Sequence, residues 1–322
     1  MLQLWAQTDE QSSWVDSLST PLPDNVYRLS CIIPSDSAVF ALQEHQSSEF
    51  GYAVHGMSTP MVADLDGDGV TEIIACGVNS SNSWYGQNLF VFNGVTGQYI
   101  RTILTNNYWL QGQSITIGDV NNDGHAEIFV LDHIGYLTAY NYDGTNYWTN
   151  SQNNVPYNYL LSVADIMGDG NVELVCGSFI FNALNGNLLL SGTMQNTGRG
   201  FGSPNGNDLN SNPYYMYALA DIDGDSTLEL CAGNSIYKLN ITNYAGVVGN
   251  SWQLLRQAES IPEIDNYDGQ TFILDFDGDG NIDIGVIGTT STLGSGSATG
   301  AAVHTVNPYV WDCSTGEIIA YT

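Results

Sequence analysis

Positive charge is almost missing from this chain: five Lys and Arg stand against 34 Asp and Glu, a net charge of −29. A field of that sign repels nucleic acid and anionic membranes, so neither is expected as a partner. Proline is sparse, at nine residues in 322. No apolar run approaches the ~18 residues needed to span a bilayer, and no membrane insertion is expected. The cysteines (Cys31, Cys76, Cys176, Cys231, Cys313) are odd in number and form no CxxC. That argues against a zinc site and against a disulfide framework, although a single disulfide stays open. Cys76, Cys176 and Cys231 sit in apolar runs and read as small buried hydrophobes. The five histidines show no HExxH, and neither GxSxG nor a Gly-rich phosphate loop occurs.

What is abundant is glycine (35 residues), together with 43% hydrophobic and 11% aromatic residues, enough for a packed core of short strands and tight turns. The acids fall in short periodic clusters rather than in blocks, which suggests that a cation supplies the missing charge. Five segments align: VADLDGDGVTEIIACG from Val62, IGDVNNDGHAEIFVLD from Ile117, VADIMGDGNVELVCGS from Val163, LADIDGDSTLELCAGN from Leu219 and ILDFDGDGNIDIGVIG from Ile273. Their first aspartates are spaced by 55, 46, 56 and 54 residues. A period of that size with strand-like runs indicates a β-propeller rather than a helical solenoid.

Each repeat reads as four strands: one into the acidic loop, one out of it, an aromatic strand, and a return strand after a Gly-containing turn. The fold expected is therefore all-β, a propeller with five motif-bearing four-stranded blades. The fourth repeat is the least regular, with SIYKLN from Ser235 followed by a weak turn. Two Gly/Ser/Asn-rich stretches, roughly 193–212 and 289–300, read as long surface loops.

In D-x-D-G-D-G-x-x-E, side-chain oxygens fall at positions 1, 3, 5 and 9, with the carbonyl of position 7 between them. Alternate residues of a tight turn can so converge on a hard cation that takes six to eight oxygens, which suits Ca²⁺ better than the stricter Mg²⁺. Glycine at position 6 permits the sharp bend. No EF-hand glutamate stands at position 12, and a strand follows in place of a helix. On these five copies the region from about Tyr52 to Thr322 resembles the FG-GAP/VCBS repeat family, best known from the integrin α-subunit propellers.

The resemblance implies one calcium per loop, up to five. Carried over by motif position, the ligands are Asp64, Asp66, Asp68, the Val70 carbonyl and Glu72 in the first loop. In the second they are Asp119, Asn121, Asp123, the His125 carbonyl and Glu127. The third keeps Asp165, Asp169, the Asn171 carbonyl and Glu173, but Met167 replaces the position-3 oxygen, so this site should be the weakest. The fourth has Asp221, Asp223, Asp225, the Thr227 carbonyl and Glu229, with Ser226 in place of the position-6 glycine. The fifth has Asp275, Asp277, Asp279, the Asn281 carbonyl and Asp283. These sets hold 18 of the 34 acidic residues.

Residues 1–51 carry no acidic loop and form a separate N-terminal segment ahead of the propeller at 52–322. Tyr27, Leu29, Cys31 and Ile33 alternate as on a half-buried strand, and Ser37–Leu42 reads as a second one. They form a further blade, a cap, or a strand donated to a second copy of the chain, since backbone pairing at a sheet edge gives affinity without opposite charges. Met1–Gln7 looks like the tail of a secretion signal. That ending, Asp-Ser-apolar tripeptides at Asp16 and Asp36 and sequons at Asn79 and Asn240 resemble features of secreted, glycosylated Bacteroidetes surface proteins. The function expected is a non-catalytic, extracellular structural or adhesive protein, plausible as a self-assembling filament subunit. Its partner would be itself, another surface protein or a neutral glycan. The rival is a carbohydrate-active propeller, a polysaccharide lyase or a glycan-binding module with exposed aromatics such as Trp84, Tyr85, Tyr108, Trp109, Tyr147, Trp148, Tyr214 and Tyr215. Against a lyase stand the scattered cations Arg28, Arg101, Arg199, Arg256 and Lys238, too few to neutralise a uronic-acid chain.

Overall fold

A computed structural model describes residues 54, 59–78, 86–105, 110–153, 155, 160–191, 199–200, 214–260, 269–292 and 303–321, all within one compact unit of the chain. Among these residues there is no helix, and the strands are joined antiparallel in sequence order. The first four-stranded sheet holds β1 (Met61–Ala63), β2 (Glu72–Val78), β3 (Gly86–Asn93) and β4 (Tyr99–Ile103). The second holds β5 (Leu110–Gly118), β6 (Glu127–Asp132), β7 (Leu137–Tyr140) and β8 (Asn146–Asn150). The third has β9 (Leu161–Ala164), β10 (Glu173–Cys176), β11 (Phe179–Asn182) and β12 (Leu188–Ser191). A short pair, β13 (Arg199–Gly200) with β14 (Tyr214–Tyr215), precedes the fourth sheet of β15 (Ala218–Ala220), β16 (Glu229–Ala232), β17 (Ser235–Asn240) and β18 (Ser251–Gln257). The fifth consists of β19 (Gly269–Leu274), β20 (Asp283–Thr292), β21 (Val303–Asp312) and β22 (Ile318–Tyr321).

These are five blades of a propeller-like fold, as the repeat implies. The first strands of successive blades touch (β1 with β5, β5 with β9, β15 with β19), which sets the blades side by side. A single pairing, Gly86 with Leu110, also joins the first two sheets. No described pairing closes the fifth sheet back onto the first.

The second strand of each of the first four blades has an apolar core against both of its faces, which is why EIIAC, EIFVL, ELVC and ELCA read as unbroken apolar runs. Their side chains feed a core at each interface between consecutive blades. Leu65, Ile74, Leu89 and Val91 of the first blade meet Ile115, Ile128 and Tyr140 of the second. Phe129, Leu131 and Leu137 meet Leu174 and Phe181. Val175, Ile180 and Leu190 meet Leu230 and Tyr237. Ile236 and Cys231 meet Val286 and Trp311. Cys76, Cys176, Cys231 and Cys313 are buried free thiols in these cores, as expected of small hydrophobes.

Three expectations are refined. Thr289–Thr292 do not open a loop but extend β20, paired with Val303–Val306, because a β-branched run favours a pleated strand over a turn. Tyr147 and Trp148 lie on β8, half-buried against the core between the second and third blades, with Trp148 Nε1 donating to the Ala183 carbonyl at 2.9 Å, so they are not free aromatics on a loop. The fourth hairpin, between β17 and β18, is long: Asn250 and Asn243 close it, with Asn250 Oδ1 accepting from the Thr242 and Asn243 N–H groups, both at 2.9 Å. Residues 1–51 and Trp84, Tyr85, Tyr108 and Trp109 lie outside the described residues.

Candidate metal centres

All five acidic loops connect the first strand of a blade to its second, and all five share one hydrogen-bond frame. The first aspartate (Asp64, Asp119, Asp165, Asp221, Asp275) accepts the N–H of the sixth loop residue at 2.9–3.1 Å. The fifth residue (Asp68, Asp123, Asp169, Asp225, Asp279) accepts the N–H of the seventh (Val70, His125, Asn171, Thr227, Asn281) at 2.7–2.9 Å. The ninth (Glu72, Glu127, Glu173, Glu229, Asp283) is buried at the start of the second strand, and one of its oxygens takes the N–H of the second loop residue at 2.8–3.0 Å. Such a frame fixes the carboxylates before any ion arrives.

Backbone geometry follows the motif. The sixth residue adopts positive φ in every loop: 87° at Gly69, 85° at Gly124, 86° at Gly170, 90° at Gly280 and 72° at Ser226. The fourth position is left-handed too, a demand not visible from the ligand spacing, and Asn122 fills it in the second loop with φ 58°. Neighbouring loops are tied by backbone bonds: Ala126 N–H to the Leu65 carbonyl at 2.9 Å, and Leu228 N–H to the Ile166 carbonyl at 2.8 Å.

Ligand-bearing side chains converge to different extents. Carboxylate oxygens of Asp64, Asp66 and Glu72 lie within 4.8 Å of one another, as do those of Asp221, Asp223 and Asp225 and those of Asp275, Asp277 and Asp279. The second loop carries Asn121 at position 3, whose Nδ2 donates to Glu127 Oε1 at 3.0 Å. In the third loop Met167 turns into the core between the third and fourth blades and offers no oxygen. There the hydroxyl of Tyr244, from the hairpin of the next blade, donates to Asp169 Oδ2 at 3.0 Å. Tyr244 lay beyond the reach of the motif, because it sits 75 positions from its partner.

The donor set fits a cation. Asp66 Oδ1 and Glu173 Oε1 are buried carboxylate oxygens with no hydrogen-bond donor. Tyr244 stands beside Glu173, but its one proton goes to Asp169. Burial raises the carboxyls of Glu72, Glu127 and Asp283 above the ordinary range and Glu173 to about 7, against the pull of the N–H each accepts. A buried anionic oxygen without a donor is costly, and a hard divalent ion among these oxygens removes the cost. The fourth loop differs, because a cation is already in it. Lys238 Nζ, from β17, lies 2.8 Å from Asp223 Oδ2, 2.5 Å from Asp225 Oδ2 and 3.2 Å from Glu229 Oε1.

Comparison with known proteins agrees with this repeat. The sequence profile of the FG-GAP-like repeat matches residues 64–130 and 119–176. No curated protein matches the chain. Among solved structures, the biofilm matrix protein Bap1 of V. cholerae aligns over 84% of this chain at 18% identity with a TM-score of 0.53. A protein of unknown function from Bacteroides caccae aligns over 85% of this chain and 82% of its own at 15% identity with a TM-score of 0.39. The alignment spans 39% of the Bap1 chain, so the likeness concerns one part of that protein and its fold. Residues 64–176 are therefore FG-GAP-like repeats, set in a propeller-like array of five blades.

Proposed function

We propose that this chain is a non-catalytic extracellular protein whose blades are stapled by calcium, and that it serves as a structural or adhesive component of a surface layer or matrix. One observation carries the reading: five loops repeat the same prearranged carboxylate frame, and the ninth acid of each is buried at the foot of a central strand. An ion there bridges the first and second strands of a blade and neutralises charge that would otherwise oppose folding. The first, second and fifth loops offer the fullest oxygen sets, and the third, lacking an oxygen at Met167, the poorest. The loops are exposed at their tips, and modest sites of this kind fill at the ~10⁻⁴–10⁻³ M calcium typical of extracellular modules. The V. cholerae neighbour, described as a biofilm matrix protein, shares the fold and suits the same setting.

The finer part of the proposal is self-assembly. A strand from residues 1–51 would pair with a sheet edge of a second copy, and such a head-to-tail contact does not close on itself but grows a fibre. Deleting residues 1–51 is expected to leave a folded, calcium-binding monomer. A full chain that stays monomeric at high concentration with calcium would sink this part alone. For the main reading, the test is a metal count on the native chain after gel filtration in calcium buffer. Several calcium ions per chain are expected, with Asp66→Asn and Asp277→Asn each losing one. A chain that retains no divalent ion, or that turns over pectic or neutral polysaccharide, would overturn it.

A further inference from the structure

The position that faces the ninth acid across the sheet differs in one blade. Glu72 pairs with Asn93, Glu173 with Asn182 and Asp283 with Asp312, while the register of β6 with β7 puts Asn141 opposite Glu127. In β16 with β17 the same register puts Lys238 opposite Glu229. The Asn and Asp side chains at this position open the hairpin that follows. Asn93 Oδ1 accepts from Val95 and Thr96, Asn182 Oδ1 from Leu184, and Asp312 Oδ1 from Ser314 and Thr315. In the fourth blade β17 runs on to Asn240 and the hairpin is closed further along by Asn243 and Asn250. Position 238 is thereby released from turn duty, and a long side chain there can reach the loop.

Lys238 uses that freedom. Its ammonium has three protons and three carboxylate neighbours, from positions 3, 5 and 9 of the loop. These are oxygens that a calcium ion would need at ~2.3–2.6 Å. Glu229, fully buried, receives its counter-charge from Lys238. A second cation among the same oxygens would face the ammonium at close range and find its ligands already engaged. The sixth residue adds an independent departure, Ser226 in place of glycine.

We propose that Lys238 is a built-in cation that locks the fourth loop in place of a metal ion, so that the fourth blade is stapled without calcium while its sister blades depend on it. The proposal rests on the calcium reading of the sister loops, and the experiment separates the two. Bound calcium is counted on the full chain for wild type, Lys238→Asn, Asp223→Asn and Asp277→Asn, and each is melted in excess EDTA beside Lys238→Met. Lys238→Asn, which installs the residue of the first three blades, is expected to gain one calcium per chain. Asp223→Asn is expected to leave the count unchanged, and Asp277→Asn to lower it by one. In EDTA both Lys238 variants are expected to melt below wild type, because the fourth loop then has no cation at all. The proposal is overturned if Asp223→Asn removes one calcium, or if Lys238→Met melts with wild type in EDTA. Should Lys238→Asn fail to fold, the Asp223→Asn count still decides. If Asp277→Asn also leaves the count unchanged, the calcium reading has failed, and the EDTA melt of Lys238→Met alone judges the lysine.

Discussion

Ser226 holds φ at 72°, a conformation that costs a residue with a Cβ about 1–2 kcal/mol and glycine almost nothing. Ser226→Gly is therefore expected to stabilise the chain by about 1 kcal/mol, read as a higher urea midpoint, while Ser226→Ala gives no such gain. Asp132 is a second residue with a clear ledger. It is buried at the end of β6, and its Oδ1 accepts the N–H groups of Ile134 at 2.9 Å and Tyr136 at 2.8 Å. Burial raises its pKa against the pull of those bonds, so the folded chain holds this proton more tightly than the unfolded one, and the group erodes stability as pH rises from the carboxylate range. Asp132→Ala takes the acceptor from two part-buried N–H groups and is expected to cost about 1–3 kcal/mol at neutral pH. Asp132→Asn keeps an acceptor for both, and the stability of this variant relative to wild type is expected to fall as the solution is acidified. Equal losses for Ala and Asn would contradict the hydrogen-bond account. At this scale the loop acids were fully legible in the sequence, since each repeats at a fixed offset. Lys238 and Tyr244 were not, because cross-strand register and inter-blade contact bring them in.

Elements gain their stability from the faces between blades. Phe181 on β11 is fully buried in the interface between the second and third blades, whereas Phe272 on β19 is 43% exposed and lies over Gly285. Phe181→Ala is expected to cost about 3–5 kcal/mol by cavity formation, and Phe272→Ala much less, in the same chemical denaturation series. Comparable costs would mean that the inter-blade cores do not dominate. The four-strand rhythm of each repeat was visible because acidic loop, apolar run and Gly turn recur in order. The packing of half-buried Tyr147 and Trp148 was hidden, since an aromatic pair on a strand reads alike whether it faces solvent or a neighbouring blade. Likewise the continuation of β20 through Thr289–Thr292 depended on a partner strand that a Gly/Ser-rich stretch obscures.

For the whole molecule the governing quantity is charge. With −29 on 322 residues, compactness depends on neutralising the 18 acids gathered in the loops, and one lysine serves one loop of the five. Each ion bound only by the folded chain adds about 2.7 kcal/mol when free calcium is a hundredfold above Kd. At roughly 2–4 °C per kcal/mol, that is about 5–10 °C in melting temperature per site. The most direct measurement is thus calorimetric melting of the native chain in excess calcium, in EDTA, and in EDTA followed by excess calcium. The expected result is a fall of that size for each occupied loop in EDTA, fully reversed by calcium and poorly by magnesium. An identical melting temperature in all three buffers would contradict the claim that calcium staples these blades.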